Sequence, residues 1–138
     1  MSGTGFVLDP RLTEDTCPVT SLPLCDVLLM NDARYPWLIL VPRQADLVEI
    51  ADLGDGDQIA LWSEVNRAAA ALRLVAPCEK LNIGALGIIV RQLHIHVVAR
   101  NQGDAAWPGP VWGYGDAEPY SPVAREALTD GLRKAFAP

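Results

Sequence analysis

Gln92-Leu93-His94-Ile95-His96-Val97-Val98 contains both histidines of the chain. In an extended strand, successive side chains point to opposite faces. The pattern therefore predicts Gln92, His94 and His96 on one face, about 7 Å apart at roughly 3.4 Å per residue. Leu93, Ile95 and Val97 fall on the other face and are expected in the core. Gly84-Ala85-Leu86-Gly87 comes just before this stretch. Closely spaced glycines let a backbone turn tightly and approach a ligand. Three readings are open at this point. The imidazoles could be hydrogen-bonded sheet residues. They could be two ligands of a zinc site, since His-x-His on a strand suits that ion. Asp104 and Asp116 lie downstream, but nothing in their spacing marks either as a third ligand. Or one imidazole is a nucleophile: with one nitrogen held as a donor to a backbone carbonyl, the other can attack phosphorus. Its polar neighbours would then donate to the phosphate oxygens.

The segments on either side predict the frame that holds this strand. Asp9-Pro10 reads as a helix start, with Asp9 the N-cap. Leu24–Asn31 and Trp37–Val41 are apolar runs joined by the turn Asp32–Pro36, which predicts an antiparallel hairpin. After Asp55-Gly56-Asp57, the positions Ile59, Trp62, Val65, Ala69, Leu72 and Ala76 recur at helical steps, and Pro77 ends the pattern. Trp62 is accordingly expected in the core. Strands are predicted over Lys80–Ala85 and Val90–Arg100, then a Gly-, Pro- and Trp-rich loop over 101–120. Ser121-Pro122 opens a last helix with Leu128, Leu132 and Phe136 inward. The order α-β-β-α-β-β-α indicates an α+β domain on an antiparallel sheet with flanking helices.

With 138 residues, residues 1–138 are expected to form one domain that folds without disulfide or structural metal. The net charge of -6 disfavours nucleic acid and anionic membrane as partners. A nest of backbone N–H groups can still bind the phosphate of a small nucleotide. Cys17, Cys25 and Cys78 have no C-x-x-C spacing and read as free buried thiols in a reducing compartment. The first five residues, MSGTG, contain no basic residue and no apolar run of signal length, so the chain is expected to be cytoplasmic.

The segment QLHIHVV resembles the signature of the histidine triad (HIT) family, His-φ-His-φ-His-φ-φ with φ apolar. LLMNDARYPWLILVPRQ, the helix after it, and LNIGALGIIVRQLHIHVVARNQGDAAWPGPVWG are similar to that family in order and spacing. The likeness spans roughly residues 20–113. It implies a HIT-like fold that dimerises. It also implies cleavage or transfer at the α-phosphate of a nucleotide derivative, such as a dinucleoside polyphosphate or a nucleoside phosphoramidate. Neither a cofactor nor a catalytic metal is implied. The resemblance makes His94 the nucleophile and His96 a contact to the phosphate or bridging oxygen. Gln92 stands at the first triad position, where most members have His. An amide there can orient phosphate but cannot titrate near neutral pH. Asp32 falls at the place of a ribose-binding acid and Asn82 at that of a phosphate- or sugar-contacting Asn. Gly87 belongs to the phosphate turn, and Trp112 is a candidate wall of the pocket. Trp37 and Ala45 stand near places where members often carry a further His. Ile88, Ile89 and Val90 occupy positions that are often polar, which leaves backbone N–H groups around Gly87–Ile89 to hold phosphate. The runner-up expectation is a member that binds nucleotides without turnover, and the third is a metal-dependent hydrolase.

Overall fold

The computed structural model describes residues 5–138; most of the MSGTG segment lies outside them. Asp9 accepts a hydrogen bond from the Arg11 N–H and caps α1 (Pro10–Asp15), whose proline sits where no donor is needed. β1 (Thr16–Ser21), β2 (Cys25–Met30) and β3 (Trp37–Pro42) follow, then a single 3-10 turn at Ile50–Asp52. Next come α2 (Asp55–Val75), β4 (Lys80–Gly84), β5 (Ile95–Arg100) and α3 (Pro122–Phe136). The strands form one antiparallel sheet in the order β1-β2-β3-β5-β4.

β3 and β5 are buried at every position. A strand covered on both faces can be apolar throughout, which accounts for the uninterrupted run WLILV. Leu38, Leu40, Ile95, Val97 and Ala99 pack with Leu61, Val65, Leu72 and Leu132 of the helices. Trp37, Ile39, Val41 and Val98 face the other way, beneath Leu12 of α1 and Ala106 and Val111 of the loop after β5. His94 and His96 belong to this second face.

The structure corrects the sequence expectations in four places. β1 was not expected. It is short, polar and interrupted by Pro18, which an edge strand tolerates because one side of its ladder is unpaired. The strand predicted from Val90 begins only at Ile95. The inward face of α2 is Leu61, Glu64, Val65, Ala68, Ala69, Ala71 and Leu72. Ile59 and Trp62, 74% and 45% exposed, lie off that face, so Trp62 is not in the core. A stripe drawn through Ile59 and Trp62 is offset from the face that the helix buries, which is rich in alanine. Lastly, only Cys25 of the three free thiols is buried. Its burial and the nearby Glu64 carboxylate push the thiol pKa far up.

Candidate active site

His96 sits in β5 opposite Ile39 of β3 and Gly84 of β4. Two residue pairs along the ladder, Trp37 lies diagonally across from it on the same face. The Trp37 indole donates from Nε1 to His96 Nδ1 at 3.0 Å. Trp112 closes the other side, its ring edge-on to His96 at 5.4 Å. It rests over Gly84, where an added Cβ would meet the indole at 3.8 Å. Burial, reinforced by the neighbouring His94, pushes the His96 pKa down to about 3.

His94 stands just before β5, and its ring meets that of His96 at 4.9 Å, nearly perpendicular. Its Nδ1 lies 2.6 Å from the carbonyl oxygen of Gln92. A carbonyl can only accept, so Nδ1 holds the proton and the Nε2 lone pair is free in the neutral ring. The two imidazoles thus have opposite arrangements: one donates at Nδ1, the other accepts there.

Gln92 does not join their row. The backbone bends at this position, which breaks the strict alternation that a strand would impose. Its side chain turns to the N-terminal segment, with Oε1 accepting from the Asp9 N–H and Nε2 donating to the Val7 carbonyl, both at 2.8 Å. Arg11 adds a bond to the Ile89 carbonyl at 2.9 Å. Residues 7–11 therefore clamp the turn before His94, and the Gln92 carbonyl orients the imidazole.

His94 and His96 open onto a cavity of about 470 Å³. Its walls include Leu12, Met30, Trp37, Ile39 and Trp112, with residues 86–90 along one edge. Gly87 turns with φ 67°, a conformation that glycine adopts without penalty. Ile88 and Ile89 are exposed beside it. Among the described residues, no Lys or Arg lines this cavity, and Asp15, at the end of α1, is the carboxylate on its wall. Asp15, Met30, Trp37 and Gly113 also border a second hollow of about 520 Å³ toward Arg34 and Tyr114.

Asp32 is buried and already engaged. Its carboxylate accepts from the Arg34 guanidinium at 2.8 Å and from the Glu118 N–H at 3.3 Å. Burial alone would raise its pKa, but these donors outweigh that effect and hold it below the usual carboxylate range. Asn82 lies on β4 outside the histidine cavity, with Oδ1 accepting from Arg100 at 2.8 Å. Buried Arg100 also binds Asp104 and the Gly109 carbonyl, anchoring the loop that carries Trp112. Of the expected site residues, His94, His96, Gly87 and Trp112 come together. Gln92 supports them from behind, Asp32 lines the adjoining second hollow, and Asn82 stands apart on β4. Asp15 and the buried Glu64, which accepts from the Leu24 and Cys25 N–H groups, were not expected; single carboxylates on helices give no periodic signal. Among the described residues, no cluster of three or more His, Cys, Asp or Glu side chains is placed to hold a metal. Nor is any helix long and apolar enough to cross a membrane.

The HIT domain family model matches residues 13–103. A histidine triad protein of Sinorhizobium meliloti 1021 is 50% identical, with 96% of this chain and 98% of that one aligned at a TM-score of 0.93. One from Bradyrhizobium japonicum is 45% identical over 96% and 99%, at 0.94. One from Marinobacter aquaeolei VT8 is 40% identical over 95% and 96%, at 0.92. Comparison with curated proteins returns no match.

Proposed function

The chain belongs to the HIT domain family, and from that premise we propose that it is a nucleotidyl hydrolase or transferase with His94 as nucleophile. Members of this family are typically nucleotide-binding hydrolases or transferases. The observation that carries the reading is the opposite arrangement of the two imidazoles at the mouth of one cavity. His94 Nε2 attacks the α-phosphorus of a dinucleoside polyphosphate or nucleoside phosphoramidate, and the leaving group departs with the electron pair of the broken bond. Water then attacks the phosphorus and returns Nε2 its lone pair. With no cation on the cavity wall, the phosphate oxygens are met by donors: His96 Nε2–H and the backbone N–H groups of the Gly87 turn. Residues 1–138 act as one HIT-like domain.

In the test, protein stripped with a strong chelator turns over these substrates, and His94→Ala lowers the rate by roughly a thousandfold or more. Activity that vanishes with chelator and returns with Zn²⁺ contradicts the reading. A second reading, nucleotide binding without turnover, is favoured by one observation: Gln92 is committed to Val7 and Asp9, so the first triad position contributes no side chain to the cavity. Binding with no turnover of either substrate class selects it.

The same proposal includes a homodimer. Ile59, Trp62 and Leu74 are exposed on α2, and β4 leaves one edge of the sheet open. Light scattering at micromolar concentration should give about twice the 14.9 kDa chain mass. A monomer at high concentration refutes it.

A further inference from the structure

An indole N–H donates and cannot accept. The 3.0 Å bond from Trp37 Nε1 therefore requires a lone pair on His96 Nδ1, and the neutral ring then carries its proton on Nε2. A proton added at Nδ1 would bring two N–H groups face to face. The other groups around His96 offer no compensation. Ile39 faces it from β3 and Gly84 from β4, with Trp112 from the loop. The titratable groups on the cavity wall are His94 and Asp15.

We propose that Trp37 is a positioning and specificity-determining residue, holding His96 as an uncharged Nε2–H donor so that the site favours leaving groups that depart without a proton. The proposal rests on the nucleotidyl-transfer reading for its consequence, but not for the tautomer itself. Burial and the neighbouring His94 also keep His96 uncharged, with its pKa pushed down to about 3.

In the first step, the bond from phosphorus to His94 Nε2 forms while the bond from phosphorus to the leaving oxygen breaks. That oxygen takes the electron pair and leaves as an anion. His94 Nδ1 keeps its proton on the Gln92 carbonyl, and neutral His96 is too weak an acid to give one up. In the second step, water replaces Nε2 on phosphorus and one proton passes to solvent. Anhydride substrates, whose phosphate or carboxylate leaving group is stable as an anion, fit this site. Nucleoside phosphoramidates, whose amine needs a proton to leave, are disfavoured.

The test has two arms. In the first, ¹⁵N NMR of the unliganded wild type reads the His96 ring nitrogens from about pH 5 to 8. A bare Nδ1 and a protonated Nε2 throughout that range are expected. An Nδ1–H tautomer, or a midpoint within the range, overturns the proposal. In the second, kcat/KM is measured for a series of aryl esters of a nucleoside 5′-monophosphate whose phenols have graded pKa values. The wild type should slow by up to roughly tenfold per unit of phenol pKa. In Trp37→Phe, which frees Nδ1 to take up a proton, the dependence should flatten. A shallow wild-type slope, or a slope unchanged in the variant, overturns the specificity role. If Trp37→Phe does not fold, the wild-type slope and spectrum decide alone. No turnover of any ester, with the expected NMR pattern intact, overturns the catalytic reading and leaves the His96 assignment supported.

Discussion

His94 and His96 are two residues apart and equally buried, 6% and 5% exposed, yet their surroundings make them chemical opposites. His94 stands outside the ladder, where a bend brings the Gln92 carbonyl within reach of its Nδ1. His96 stands inside the ladder, where β3 supplies a fixed indole donor to the same atom. One ring keeps a lone pair toward the cavity and the other keeps a hydrogen. Residue type and burial do not separate them; the partner of Nδ1 does.

The acid stability of the protein tests this contrast at the largest scale. An unfolded histidine takes up a proton near pH 6.5, whereas His96 in the folded protein does so only at about pH 3. Between those values the unfolded chain binds more protons, so stability rises with pH in this window and is lost as pH falls through it. The slope from this one group is at most about 1.4 kcal/mol per pH unit. Denaturant unfolding at a series of pH values should show the wild type losing stability from about pH 6.5 downward, and His96→Gln losing less. Equal slopes in the two proteins would remove the asymmetry between the histidines.

The support behind His94 predicts a smaller effect. Gln92→Ala leaves the Val7 carbonyl and the Asp9 N–H without their partner, at a cost of about 1–2 kcal/mol, but retains the carbonyl that orients His94. Stability should drop while turnover falls only modestly. A loss of turnover as deep as that of His94→Ala would mean that the amide itself touches substrate.

The fold was legible in the sequence because its central elements have strong periods. WLILV, the hairpin turn and the caps at Asp9 and Ser121 each limit local structure on their own. β1 was not legible, since a proline-containing edge strand exists through long-range partners, its pairing with β2 and the bonds from Arg133 of α3 to the Pro18 and Val19 carbonyls. Of the site, His94 and His96 were grouped by their spacing, and Gly87 joined them through the glycine-rich turn and the family resemblance. The place of Gln92 could not, because it depends on residues 7–11, more than eighty positions away in sequence. Asp32 carried a turn signal as well as a resemblance; the turn accounts for its contact with Arg34, whereas the Glu118 N–H reaches it from 86 positions away. Trp37 was visible as a departure from the family pattern, but its bond to His96 arises only from the register of β3 on β5.

The central claim is a covalent nucleotidyl group on His94, and the stereochemistry at phosphorus tests it most directly. A substrate chiral at the α-phosphorus is hydrolysed in isotopically labelled water, and the configuration of the nucleotide product is determined. Two in-line displacements, first by His94 Nε2 and then by water, give net retention. Direct attack of water gives inversion, and an inverted product would contradict the account.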